Sequence, residues 1–394
     1  MVVVGGGPAG AAAALTLARR GVHVALLERE ALPRYKTCGG GVVRRAVQLS
    51  GLDLGPVAER ECRRVAIHAH DINGRFPLRR DEPLITMTMR DRLDYLLVET
   101  AVQAGAVLHA PCRVKEIATI GRRVRLGSEH GAMWADFVVA ADGALSDVAR
   151  LAGWPDDRRS IPALEYEITV DDATFERLAG EPRFDVGTVP HGYAWVFPKA
   201  AHLSVGVLST RRGTRDLREQ LDHYLRLVGI VAPLDVKRHG FVIPVRPRSG
   251  PLVRERVVLA GDAAGFADPL TAEGISYAIR SGQLAGEAIV QAEGDEARAR
   301  DRYHAELARE ILPELRASRL VAAALYDYPR VRRWLFRRYG QSGVEMLAGP
   351  LLGVHGYRDV VRRLVRRLVG GRRRVWVPRV GGRALDPPRS SDPF

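Results

Sequence analysis

The apolar positions change rhythm three times within the first thirty residues. Val2 to Val4 form a short β-branched run, Ala11 to Arg20 is dense in helix formers, and His23 to Leu27 is a second apolar run that stops at Glu28. This order predicts strand, tight turn, helix and strand. Further along, an apolar run from Phe137 to Ala141 enters Asp142-Gly143, and another from Val257 to Ala260 enters Gly261-Asp262 before a long helix from about Gly274. Each acid therefore falls at the C-terminal end of a strand, the edge at which open α/β sheets bind ligands.

Between these segments the period shortens to two. About Arg64 to Met89 and Ile161 to Gly250 carry short alternating runs such as "ALEYEITV", "GYAWVFPK" and "HLSVGVL", the mark of an antiparallel sheet with one covered face. Tyr193, Trp195 and Phe197 alternate, so all three project from one face, and Pro198 ends the run before Lys199. Such a face is either core packing or the apolar wall of a channel. Residues 295 to 340 read as charged helices. In "HGYRDVVRRLVRRLVGGRRR", Val360, Val361, Leu364, Val365, Leu368 and Val369 share a helical stripe flanked by Arg362, Arg363, Arg366 and Arg367.

The expected fold class is α/β. A Rossmann-type nucleotide-binding domain takes residues 1–63, 90–160 and 251–292, and an inserted antiparallel β-sheet substrate domain takes 64–89 and 161–250. A basic, helical C-terminal region runs over 293–378, and 379–394 is expected to be a disordered tail.

The turn after the first strand carries chemistry. Gly5, Gly7 and Gly10 form G-x-G-x-x-G, with Pro8 and Ala9 between the last two. Gly5 permits the turn, Gly7 lets the backbone approach a pyrophosphate, and Gly10 allows the helix to pack closely on the strand. The helix N-terminus then offers free N–H groups and a positive dipole end to phosphates. Glu28 is placed to accept hydrogen bonds from an adenosine ribose. These residues predict a dinucleotide site and leave NAD and FAD open. No second G-x-G-x-x-G with a following acid occurs, so a separate nicotinamide domain is not expected.

Composition narrows the picture. With 394 residues the chain exceeds one ordinary core, and its three cysteines, Cys38, Cys62 and Cys112, make neither a disulfide framework nor a metal site. No apolar run approaches the ~18 residues of a membrane span, and Met1 leads straight into the first strand. The expected location is the cytoplasm. Between Arg330 and Arg379 fourteen arginines stand against only Glu345 and Asp359, so most of the net charge of +14 lies in the C-terminal region. That region reads as an interfacial helix drawn to anionic lipid at the inner face of a membrane, the competing reading being a packed helix with a solvated charged face. Nucleic acid is not an expected partner, since the fold supplies no recognition module.

The order of Gly5, Gly7, Gly10 and Glu28, then Arg90 in "MRDRLDYLLVETA", Asp142-Gly143, and Gly261-Asp262 with Pro269 and Gly274, resembles the FAD-dependent oxidoreductases of the p-hydroxybenzoate hydroxylase class. By that resemblance FAD is the cofactor, Asp262 bonds the ribityl chain, and Arg90 lies near the cofactor, with Arg29, Lys36, Gly39 and Ile275 in the same set. The helix beginning near Gly274 would aim its N-terminus at the flavin pyrimidine edge, where charge accumulates on reduction.

"PRYKTCGGGV" and "YAWVFPK" together are similar to the geranylgeranyl reductase family, which reduces isolated double bonds in prenyl chains; the resemblance covers roughly residues 1 to 290. The tryptophan motif of flavin halogenases is absent. The resemblance implies that Cys38, Gly40 and Gly41 edge the reactive flavin face, with Cys38 a proton donor or redox-sensitive gate. Tyr193, Trp195 and Phe197 would line the prenyl channel, and Lys199 would meet an anionic group. Electrons would come from NAD(P)H visiting the flavin transiently, or from another reductant. Two rivals remain: a flavin monooxygenase hydroxylating an apolar or aromatic substrate, and a membrane-associated flavoprotein without catalysis.

Overall fold

A computed structural model of the chain describes residues 1–157, 160–211 and 213–369, with side chains to residue 366. At its centre is a six-stranded sheet in the order Val253–Arg254, Val257–Leu259, Val138–Ala140, Val2–Val4, Ala25–Leu27, Val107–His109. All neighbours are parallel except the first pair, with Val2 aligned on Val138 and on Ala25. The strands are shorter than their apolar runs, but Val3, Leu26, Val138 and Leu259 are fully buried, as a parallel sheet covered on both faces requires. On one face helix Pro8–Ala18 packs against helix Ile275–Gln291. The contact is close because it is made by small residues: a Cβ on Gly282 would lie 2.1 Å from the Ala9 carbonyl oxygen.

Above the C-terminal ends of this sheet lies a seven-stranded roof in the order Asp235–Pro244, Ser160–Thr169, Leu203–Ser209, Gly192–Pro198, Arg183–Val186, Arg64–Ala69, Gly74–Arg79. Its pairs are antiparallel except Arg183–Val186 with Arg64–Ala69. Ala194, Val196, Val205 and Val207 face a second core closed by helix Leu217–Leu227. The opposite face looks down on the first sheet. Ile85–Thr88, grouped with the roof by its alternation, instead pairs with Gly41–Val43 and Ala58–Cys62 in a small sheet of its own. A further antiparallel sheet, Val114–Ile120, Arg123–Ser128 and Gly131–Ala135, interrupts the nucleotide-binding part.

Four helices follow: Glu296–Glu310, Leu312–Tyr326, Pro329–Leu352, which bends at Gly340, and Tyr357–Val369. The last corrects the expectation of an interfacial stripe. Val360 is fully buried, Val361 and Leu364 pack on the core, and Glu314 accepts hydrogen bonds from the Tyr357 amide and from Arg358 Nε at 2.7 Å. Helix Leu312–Tyr326 lies across the stripe, so its apolar residues cover protein; only Val365 of those described is exposed. The side chains of Arg367, Leu368 and Val369, and residues from 370 onward, including the expected tail, lie outside the described residues. No described helix is long and apolar enough to cross a membrane.

Candidate functional site

Between sheet and roof opens a cleft of about 2200 Å³, its open mouth included. Of the expected cofactor residues, Gly5, Gly7, Pro8, Ala9, Glu28, Arg29, Lys36, Gly39, Arg90, Asp142, Gly143, Asp262, Gly274 and Ile275 line it, and Gly10, Gly261 and Pro269 do not. Cys38, Gly40 and Gly41 line it with Tyr193, Trp195 and Phe197, whereas Lys199 does not.

The glycine turn is dictated by contact distances. Gly5 has φ +105°, and a Cβ there would fall 2.4 Å from the Ala141 carbonyl oxygen; one on Gly10 would fall 1.8 Å from that of Gly5. Gly10 thus acts through packing, without reaching the cleft. Gly7 caps helix Pro8–Ala18 with no side chain on the free amides, which leaves them to a ligand. Glu28 is buried, accepting the Gly6 amide at 2.8 Å and the Glu30 amide at 3.1 Å, with Arg34 Nε 3.4 Å away.

Arg34 and Asp94 are the residues that sequence reasoning missed. Asp94 is completely buried and receives Arg90 Nε at 2.8 Å, Arg90 Nη2 at 2.9 Å and Arg34 Nη1 at 3.0 Å. One carboxylate therefore fixes two guanidinium groups in the cleft wall. Burial works against the Arg90 charge, but the Asp94 charge and hydrogen bonds outweigh it and hold its pKa above the ordinary value. The four-residue spacing in "MRDRLD" was the available signal for the Arg90 half.

Asp142 lines the cleft, yet its carboxylate is engaged in its own loop, accepting Ser146 Oγ at 2.5 Å and the Val148 amide at 2.9 Å. Burial raises its pKa. Gly261 has φ +58° and tucks against Ala9, leaving Asp262 as the cleft residue of that pair. Helix Ile275–Gln291 does present its first turn to the cleft, with Gly274 as cap, but the Glu273 carboxylate also accepts the Ser276 amide at 2.7 Å. Pro269 sits in a turn organised by Asp268, a fully buried acid that accepts the Leu270 amide at 2.7 Å and Ser318 Oγ at 2.6 Å. The same turn delivers the Thr271 carbonyl to Tyr193 Oη, 2.5 Å away.

The glycine triplet is wedged between small sheet and roof. A Cβ on Gly39 would meet the Phe197 ring at 3.0 Å and Trp195 Nε1 at 3.3 Å. Gly40 has φ +64°, and its Cβ would stand 2.1 Å from the Thr88 carbonyl oxygen and 2.5 Å from Lys199 Nζ. Lys199 is accordingly not a free cation. It is 1% exposed, and Nζ donates to the carbonyls of Gly39 at 2.7 Å and Thr88 at 2.9 Å. The expected anion contact is corrected by this geometry: Pro198 ends the aromatic strand so that Lys199 turns into the protein and ties down the triplet. Cys38 is half-buried at the mouth of the turn, its Sγ accepting the Gly40 amide at 3.4 Å. The charges of Arg90, Lys36 and Lys199 all act on it. Lys36 lies 3.5 Å from the centroid of the Phe241 ring, and burial, then Arg90, lowers its pKa.

On the roof, the Trp195 indole occupies the space beside Gly206, where a Cβ would be 2.1 Å from the ring. Phe184 meets Phe197 edge-on at 5.0 Å, and Tyr193 and Trp195 are 6.0 Å apart. The result is a cleft with a glycine-rich, amide-presenting floor, two clamped arginines, and an aromatic ceiling.

Floor and ceiling together define an FAD-dependent oxidoreductase, and the comparisons with known proteins agree. Residues 1–311 match the FAD binding domain family. The chain is 32% identical over 322 residues to digeranylgeranylglycerophospholipid reductase 2 of Methanothermobacter thermautotrophicus, covering 74% of this chain and 78% of that one. It is 32% identical over 312 residues to the chloroplastic geranylgeranyl diphosphate reductase of Nicotiana tabacum, covering 74% of this chain and 66% of the tobacco protein. A geranylgeranyl bacteriochlorophyll reductase-like protein of Thermoplasma acidophilum shares the fold, with a TM-score of 0.75 at 21% identity over 92% of this chain and 98% of that one. The chain belongs to the geranylgeranyl reductase family of FAD-dependent oxidoreductases.

Proposed function

We propose that this protein reduces isolated C=C bonds of a prenyl chain. The observation that carries the reading is the placement of Cys38 and the glycine triplet against the aromatic strand Gly192–Pro198, inside the cleft whose floor fits FAD. The uncapped first turn of helix Pro8–Ala18 and the bare backbone at Gly7 would hold the pyrophosphate, with Arg34 and Arg90 nearby. Bound and reduced, FAD supplies a hydride.

The protein's own groups supply the remainder. An isolated alkene that receives hydride at one carbon needs a proton at the other, and the Cys38 thiol is a donor within the cleft. Lys199, by fixing the Gly39 carbonyl, fixes the turn that aims Cys38. Tyr193, Trp195 and Phe197 exclude water and hold the chain. NAD(P)H or another small reductant would reach the flavin transiently.

A prenyl substrate resides in lipid, and the exposed surface that suits a membrane is the start of helix Pro329–Leu352 rather than the buried stripe of the last helix. There Tyr328, Val331 and Trp334 are exposed, with Arg330, Arg333, Arg337 and Arg338 around Trp334. Aromatic and aliphatic side chains among arginines match the boundary of an anionic bilayer.

The test of the reductase reading is anaerobic. The bound flavin is reduced, mixed with prenyl diphosphates, prenyl quinones and isoprenoid glycerolipids, and the products are weighed. Gain of two hydrogens with flavin reoxidation is expected. Failure of every prenyl compound, with oxygen-dependent hydroxylation of another substrate, would establish the monooxygenase instead.

A further inference from the structure

The roof strand Ser160–Thr169 alternates Leu164, Tyr166 and Ile168 toward the second core with Ala163, Glu165 and Glu167 on the other face. In an ordinary half-buried strand that polar face meets solvent. Here it meets the cleft: Glu165 lines the cavity and is only 3% exposed. Its Oε1 accepts Ser204 Oγ at 2.6 Å, and Ser204 in turn takes the Trp195 indole N–H at 3.4 Å. Its Oε2 is buried and has no hydrogen-bond partner. Across the strand pair, in register with Glu165, stands His239, whose Nε2 is also buried without a partner.

A buried carboxyl oxygen left unsatisfied costs about 1–3 kcal/mol, more if charged, so this arrangement calls for a ligand atom. Among the described residues none supplies it: even the ring of His239 across the strand pair makes no hydrogen bond to this oxygen. Lys199 acts on Glu165 electrostatically, while two of its three N–H donors go to the carbonyls of Gly39 and Thr88. Burial, opposed by the Ser204 hydrogen bond and by Lys199, raises the Glu165 pKa, which favours a carboxylic acid able to donate. A buried carboxyl group beside an indole suits an uncharged oxygen and, at this point of the ceiling, offers a phosphate an acid in place of a cation.

We propose that Glu165 is a substrate-recognition residue whose free carboxyl oxygen hydrogen-bonds an uncharged hydroxyl or carbonyl at the polar end of the prenyl chain, held in place by Ser204 and Trp195. This inference rests on the prenyl reading of the cleft and adds the chemistry of the head group. A charged head would be held by Lys36, the ammonium that lines the same cleft.

The experiment uses the full-length FAD-loaded enzyme and three probes with the same tail: geranylgeraniol, geranylgeranyl diphosphate, and the corresponding hydrocarbon without oxygen. Binding to the oxidised enzyme is read from flavin difference spectra, and turnover from anaerobic reoxidation of the reduced enzyme. For Glu165→Leu, Kd for geranylgeraniol should rise about tenfold, which is about 1.4 kcal/mol. The diphosphate and the hydrocarbon should change less than about threefold. Glu165→Gln, which can still donate, should keep geranylgeraniol within about threefold, and Ser204→Ala should fall between, so the result does not depend on one variant folding. Equal losses on all three probes, unchanged geranylgeraniol binding in Glu165→Leu, or a loss confined to the diphosphate in Lys36→Met with none in Glu165→Leu, would overturn the assignment. If the wild-type enzyme neither binds nor reduces any of the three, the prenyl reading itself has failed.

Discussion

Replacing Gly40 by alanine isolates the device that holds Cys38. Gly40 sits at φ +64°, where an L side chain costs about 1–2 kcal/mol. Its new Cβ would also stand 2.1 Å from the Thr88 carbonyl oxygen and 2.5 Å from Lys199 Nζ, so the turn must lift. Lifting it stretches the Thr88 amide to Gly40 carbonyl bond, now 2.8 Å, and the Lys199 to Gly39 carbonyl bond, now 2.7 Å. A neutral bond contributes about 1 kcal/mol and a charged one about 1.5–3, so the total loss is on the order of 4 kcal/mol. Gly51 provides the control: it lies away from the cleft at φ +65°, and a Cβ there meets nothing within 4 Å, so Gly51→Ala carries the backbone strain alone. Urea unfolding of the two holoenzyme variants, followed by flavin fluorescence, should place Gly40→Ala at least about 2 kcal/mol below Gly51→Ala. The same variant should reoxidise with prenyl substrate at least tenfold more slowly, since Cys38 moves with the turn. Variants that differ by less than about 0.5 kcal/mol, with alkene reduction intact in Gly40→Ala, would refute the idea that Thr88 and Lys199 set the turn.

Three further outcomes are expected. Asp94→Asn leaves Arg90 and Arg34 sharing a neutral amide in a buried site, so about 3 kcal/mol of stability and most retained FAD should be lost on gel filtration; a variant that purifies with full flavin content would exclude the clamp. Cys38→Ser should keep flavin reduction by the electron donor but slow alkene reduction by a factor of about 10² or more, as a weaker acid replaces the thiol; an unchanged single-turnover rate would remove Cys38 as the proton source. Full-length protein should sediment with vesicles containing phosphatidylglycerol and much less with phosphatidylcholine alone, and lipids brominated on their acyl chains should quench a signal that disappears in Trp334→Phe. Binding that is insensitive to Trp334→Ala and to Arg333→Glu with Arg337→Glu would move the membrane contact elsewhere.

Legibility followed locality. The turn at Gly5, the strands ending at Asp142 and Gly261, and the single face shared by Tyr193, Trp195 and Phe197 could all be read, because each depends on a few consecutive residues and a fixed period. Lys199 could not, since its neighbours in sequence say nothing of the Thr88 carbonyl 111 positions away. Arg34 was hidden for the same reason: the partner that fixes it, Asp94, lies on a different element 60 residues on. Glu165 gave no signal of its own, as the polar half of an alternating strand ordinarily faces water.

What the sequence alone determined was which residues share a face and where the backbone needs glycine; these are properties of covalent geometry and side-chain period. Only the tertiary structure decided what each face meets. It covered the last helix's apolar stripe with helix Leu312–Tyr326, turned the polar edge of a roof strand into the ceiling of a cleft, and spent a lysine on two carbonyls. The physical reason is that burial and hydrogen bonding belong to pairs of surfaces, and a strand or helix specifies only one member of each pair.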